Sequence, residues 1–86
     1  MAQILIIDDD VVMTELLSQA IKERGHDIVC AHTLGEGLSE AKLGDFAIVY
    51  LDVCLPDGNG LDAIPDLRNC LSSPEIIIMT GAGDPD

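Results

Sequence analysis

Aromatic and basic side chains are nearly absent from this sequence. One Phe, one Tyr and no Trp leave the core to Ile, Leu, Val and Ala. Only 4 Lys and Arg stand against 16 Asp and Glu, a formal charge of −12. Such a surface repels nucleic acid and anionic membrane alike, so neither is expected as a direct partner. It also suggests that part of the acidic cluster is neutralised by a bound cation. The three cysteines, Cys30, Cys54 and Cys70, are odd in number and form no CxxC. That pattern excludes a disulfide framework and zinc-finger spacing, and reads as reduced, buried thiols. No apolar run reaches membrane-spanning length and no basic, apolar, small-residue leader opens the chain, so a soluble, cytoplasmic protein is expected.

What is present is globular. Hydrophobic residues make up 48% of 86 residues, enough for one small domain with a single core and little margin. Gln3-Ile4-Leu5-Ile6-Ile7 is a continuous apolar run, suited to a strand buried on both faces of a parallel sheet. Asp8-Asp9-Asp10 ends it. Helical spacing follows, with Val12, Leu16 and Ala20 as the apolar stripe and Leu17 and Ile21 beside it. Gly25 fits the position just past a helix end, so the first helix should run from about Val11 to Arg24. Asp27 to Ala31 reads as a second strand. Thr33 with Glu36 forms a capping box before a helix from about Leu34 to Leu43, which Gly35 and Gly37 weaken by roughly 1 kcal/mol each.

Phe46 to Leu51 reads as a third buried strand. It runs into Asp52-Val53-Cys54-Leu55-Pro56-Asp57-Gly58-Asn59-Gly60, a carboxylate followed by a Pro/Gly/Asn loop. Leu61, Ile64, Leu67 and Leu71 then keep helical spacing, and Pro65 among them predicts a distorted first turn. Glu75 to Thr80 is a fourth strand, and Gly81-Ala82-Gly83 after it reads as a loop rather than a nucleotide-binding turn. Strand and helix alternate, which predicts a doubly wound parallel sheet with right-handed crossovers.

In the flavodoxin-like strand order the first and third strands are neighbours, and their carboxyl ends border the ligand crevice. That places Asp8, Asp9 and Asp52 together, with Thr80 reaching the same crevice from the fourth strand. Clustered carboxylates cannot all stay ionised unaided, and Mg²⁺ suits a site of carboxylates, waters and a phosphate oxygen. A carboxylate nucleophile beside such a cation can accept a phosphoryl group. Asp10 is either a helix N-cap or a residue supporting the cluster. His26 and His32 flank the second strand without a second ligand at metal spacing.

The whole chain resembles the receiver domain of two-component response regulators, the CheY-like fold. The resemblance rests on Ile4-Leu5-Ile6-Ile7-Asp8-Asp9-Asp10, on Tyr50-Leu51-Asp52-Val53-Cys54-Leu55-Pro56-Asp57-Gly58-Asn59-Gly60 and on Ile77-Ile78-Met79-Thr80-Gly81. It implies a sheet of order 2-1-3-4, with Asp52 as phosphoacceptor and Asp8 and Asp9 as the acidic pair around Mg²⁺. It further implies the backbone carbonyl of Cys54 as a metal ligand and Thr80 as the switch hydroxyl. The implied role is a signalling domain rather than an enzyme, at most catalysing its own phosphotransfer and dephosphorylation. Its implied partners are a sensor histidine kinase and an output domain or downstream protein that regulates transcription.

The family pattern continues with a fourth helix, a fifth strand bearing a lysine and a fifth helix. Residues 1–86 therefore read as a single receiver domain incomplete at its C-terminal end, either a fragment or a natural truncation. Lys22 and Lys42 are the only lysines and lie on predicted helices away from the crevice. Two other classes stay open. A non-phosphorylated interaction module would account for the absent family lysine. A phosphatase or phosphotransferase with an Asp nucleophile would resemble the haloacid dehalogenases, which place a second Asp where this chain has Cys54. The fourth strand, apolar on both faces, is expected to pair with a second copy as a homodimer.

Overall fold

The computed structural model describes residues 2–79. Five-residue strands β1 (Gln3–Ile7), β2 (Asp27–Ala31), β3 (Ile48–Asp52) and, further on, β6 (Glu75–Met79) form one parallel sheet in the order β2-β1-β3-β6. Between them lie α1 (Val11–Glu23), α2 (Leu34–Leu43) and α3 (Ile64–Arg68). The crossovers from β1 to β2 and from β2 to β3 run in opposite directions along the sheet. Right-handed connections therefore put α1 on one face and α2, touching α3, on the other.

The core is built as the composition requires. Leu5, Ile7, Val49 and Leu51 from the two central strands pack with Ala31, Ala41, Phe46, Ala63 and Leu67. Helix α2 approaches β1 closely at Gly37, where a Cβ would lie 2.5 Å from Cδ1 of the fully buried Ile7. The helix-weakening glycine is thus the residue that lets the helix sit on the sheet.

Several local expectations change. The third strand begins at Ile48, and Phe46, expected inside it, instead packs into the core ahead of it. The loop after Asp52 contains a small antiparallel hairpin, β4 (Cys54–Leu55) paired with β5 (Gly58–Asn59), that the Pro/Gly composition did not disclose. A 3-10 turn over Gly60–Ala63 precedes α3, with Pro65 in the first turn of the α-helix, so the distortion falls where Pro65 placed it. Leu71 lies beyond the helix and is fully exposed.

The first helix is turned differently from its expected stripe. Thr14 is its buried residue, with Leu17, Ser18 and Ile21 partly covered, whereas Val12 and Leu16 are 69% and 63% exposed. The Thr14 hydroxyl donates to the Val11 carbonyl at 2.9 Å, so a polar residue enters the core at little cost and breaks the hydrophobic periodicity. Of the three thiols, expected to be buried, Cys30 and Cys70 are half-buried and Cys54 is exposed on the hairpin.

Candidate functional site at the carboxyl ends of β1 and β3

Parallel pairing of Ile7 with Leu51 brings the ends of β1 and β3 side by side, so Asp52, the last residue of β3, meets the residues that follow β1. One carboxylate oxygen from each of Asp8, Asp9 and Asp52 lies within 4.8 Å of the others. Asp8 and Asp52 are 8% and 7% exposed; Asp9 faces solvent.

Backbone hydrogen bonds hold much of the chain around the cluster. Asp8 continues the sheet by donating its N–H to the Ala31 carbonyl at 3.0 Å, and its carboxylate accepts from Asp10 N–H at 3.0 Å. The Asp10 carboxylate turns the other way and accepts from Met13 N–H at 3.1 Å, capping α1. The Asp8 carbonyl accepts from Nδ1 of His32 at 2.9 Å. Cys54 N–H points at Oδ1 of Asp52 at 3.4 Å. Behind Asp52 the chain doubles back so tightly that Gly60 N–H donates to the Val53 carbonyl at 2.7 Å, and a Cβ on Gly60 would collide with the Asp52 carbonyl oxygen.

Electrostatics follow from this crowding. Burial pushes the Asp52 carboxyl above its ordinary range, the charges of Asp8 and Asp9 add to the shift, and the Cys54 amide opposes it. Three oxygen donors around excess negative charge form the donor set a hard divalent cation takes, so the residues present fit Mg²⁺. No cysteine or histidine nitrogen belongs to the cluster among the described residues.

Thr80 lies outside the described residues, as do Gly81, Ala82 and Gly83. Thr80 follows Met79 in the chain, and Met79 pairs with Asp52 in the sheet. Lys22 and Lys42 sit in the last turns of α1 and α2, at the helix ends away from the acidic cluster. Two residues near the site carry contacts that sequence reasoning passed over. His32 was readable in principle, because β1 and β2 in register put the residue after Ala31 beside the residue after Ile7. Asp57 was read only as part of a loop. Its carboxylate accepts from Leu34 N–H at 2.7 Å and from Gly35 N–H at 3.0 Å, at the start of α2.

A doubly wound parallel sheet with an acidic cluster at the switch point between β1 and β3 defines a class of α/β domains that gather their functional residues at the carboxyl ends of the strands. The particular family is then given by comparison. The response regulator receiver domain family matches residues 4–86, and the chain belongs to it. It is 33% identical over 81 residues to the acid tolerance regulatory protein ActR of Rhizobium meliloti, covering 94% of this chain and 42% of ActR. A response regulator from Burkholderia pseudomallei, solved with a phosphorylated aspartic acid, a calcium ion and citrate, superposes with a TM-score of 0.89 at 28% identity. That match covers 94% of this chain and 48% of the other. TrrA of Thermotoga maritima, solved in complex with Mg²⁺-BeF, gives a TM-score of 0.84 at 31% identity, covering 93% and 70%. The chain spans less than half the length of the curated relatives it matches, several of them transcriptional regulatory proteins by name.

Proposed function

We propose that Asp52 accepts a phosphoryl group from a sensor histidine kinase and that this switches an output in a cytoplasmic signalling pathway, most simply transcription. The observation that carries the reading is the juxtaposition of buried Asp52 with Asp8 and Asp9 at the carboxyl ends of the central strands. In the transfer, an Asp52 carboxylate oxygen attacks phosphorus. The P–N bond of a phosphohistidine breaks, an acyl phosphate forms, and the imidazole recovers a proton. Burial keeps Asp52 out of bulk water, and a bound cation would offset the charges of Asp8 and Asp9 that oppose its ionised, nucleophilic form.

Asp8, Asp9, Asp52 and the Cys54 carbonyl are the groups that would hold Mg²⁺, which when bound offsets charge that would repel an incoming phosphoryl group. Asp10 is assigned to capping α1. Thr80 is proposed as the hydroxyl that meets the phosphoryl group, on its place in the sequence after Met79. The kinase as partner is supported by TrrA, which has also been solved in complex with the histidine kinase ThkA.

Incubation with acetyl phosphate and Mg²⁺ followed by intact mass tests the reading. One phosphoryl taken up per chain supports it. Steady release of free phosphate points to an Asp-nucleophile phosphatase instead. No uptake at all points to an interaction module, the reading favoured by the position of both lysines away from the site.

A further inference from the structure

Besides the packing of Leu55 against the core, the hairpin that follows Asp52 is held by hydrogen bonds at two places. At its base, Gly60 N–H bonds the Val53 carbonyl at 2.7 Å. At its tip, between Leu55 and Gly58, Asp57 reaches across to another element and places both carboxylate oxygens on the first two amides of α2. Thr33 takes the next free amide, that of Glu36, at 3.1 Å. The helix end is therefore satisfied partly by its own capping residue and partly by a residue from the acceptor loop.

The same helix end also reaches the Asp8 side of the acidic cluster. The Glu36 carboxylate accepts from His32 N–H at 3.0 Å, and the His32 ring donates to the Asp8 carbonyl at 2.9 Å. From Asp8 through His32 and Glu36 to the first turn of α2, and from there through Asp57 to the Cys54–Leu55 strand and Asp52, the contacts run as an open ring. The acidic cluster is the gap in that ring.

We infer that Asp57 is a positioning residue for the acidic site, fastening the acceptor loop to α2 so that the Cys54 carbonyl and the Asp52 carboxylate face Asp8. The inference rests on the proposed reading of Asp8, Asp9 and Asp52 as a Mg²⁺-dependent phosphoacceptor site. Without the Asp57 contacts the hairpin keeps the hydrogen bond at its base and the packing of Leu55 against the core, but no polar tie from its tip to α2. A pivot at the base displaces Cys54, whose amide already meets Asp52 at the long distance of 3.4 Å. The Gly35 and Leu34 amides hold the Asp57 carboxyl below the usual carboxylate range, which fits a charge-assisted clasp present at neutral pH. Coupling of this kind is reciprocal: if Asp57 favours cation binding, cation binding must in turn tighten the Asp57 contact.

The test measures Mg²⁺ affinity and amide hydrogen exchange in the intact protein, for wild type, Asp57→Ala and Asp57→Asn. The expected results are a dissociation constant raised on the order of tenfold in Asp57→Ala, with Asp57→Asn, which keeps one acceptor, in between. In the wild type, Mg²⁺ should slow exchange at Leu34 and Gly35, and in Asp57→Ala it should not. A residue that merely stabilised the fold would lower the melting temperature in Asp57→Ala and leave both readouts unchanged, which overturns the inference alone. A wild type that binds no Mg²⁺ at millimolar concentration overturns the reading of the acidic site, and the inference with it.

Discussion

One carboxylate oxygen of Asp8 and one of Asp52 lie within 4.8 Å of each other, both side chains more than nine-tenths buried, although each belongs to a different strand end. Burial, and after it the charge of Asp8 at that range, push the Asp52 carboxyl above its ordinary value. A fold assembled only for stability would gain by replacing one of the pair. Their juxtaposition at the strand ends is the observation on which the proposed function rests.

Asp52→Asn should take up no phosphoryl group from acetyl phosphate while keeping the fold. The amide is nearly isosteric with the carboxylate and can still accept the Cys54 N–H, but it is a poor nucleophile. Intact mass and circular dichroism check the two halves of the statement. A phosphorylated Asp52→Asn protein, with the modification mapped to residues 52–60, refutes the assignment.

Mg²⁺ should raise the melting temperature of the wild type, because a ligand that binds only the folded chain shifts the equilibrium towards it. At a concentration tenfold above its dissociation constant the gain is about 1.4 kcal/mol. Asp9→Ala removes one of the clustered donors without opening a core cavity, since Asp9 faces solvent. A shift of equal size in that variant, measured by differential scanning fluorimetry, would show that the cation binds elsewhere.

Gly60→Ala should destabilise by about 1–3 kcal/mol, because a methyl group there meets the Asp52 carbonyl oxygen and Cα of Val53, and both are backbone. Neither can swing aside as a side-chain tip would. Urea denaturation of the two proteins gives the number. An unchanged midpoint would mean that the turn after Asp52 is wider in solution.

The Asp57 clasp predicts a pH dependence of definite sign. Its folded carboxyl lies below the ordinary value, so its contribution to stability is fully present above the unfolded pKa, about 4, and is lost as pH falls through the folded value. Asp57→Asn lacks that titration. The melting temperature of the wild type should therefore exceed that of Asp57→Asn most at neutral pH, with the difference closing in acid. A gap that stays constant from neutrality down through the carboxylate range rules the clasp out as a charged interaction.

The order of strands and the meeting of Asp8, Asp9 and Asp52 were legible because both follow from local signals plus one topological rule. Unbroken apolar runs mark buried parallel strands, and the ends of the first and third strands meet in the doubly wound order. What escaped were contacts between loops. Asp57 sits in a Pro-Asp-Gly-Asn turn whose composition explains it completely, and nothing local reveals that its partners are the amides of Leu34 and Gly35. Thr14 escaped for the converse reason: a hydroxyl satisfied by its own helix can occupy a core position that periodicity reserves for an apolar side chain. Gly37 read as a helix weakness and proved to be a packing requirement, because only the position of Ile7 on another element decides between the two.

The last prediction concerns the free edge of the sheet. β6 pairs with β3 on one side, and among the described residues no strand pairs with its other side. Its sequence, Glu75-Ile76-Ile77-Ile78-Met79, has one charge, at the start, and no proline or bulge to blunt the edge. Ile77 and Ile78 are 41% and 38% exposed, and the Val12 and Leu16 face of α1 also stands open. Unpaired backbone groups beside exposed apolar side chains favour association, and the simplest closed solution is a two-fold pair in which the β6 strands run antiparallel. The 86-residue polypeptide should therefore be a homodimer, and Ile77→Lys, which sets a charge on the edge, should shift it towards monomer. Size exclusion with light scattering reads both proteins directly. A sharp 9.1 kDa species for the wild type at high concentration would show that this edge does not recruit a second copy.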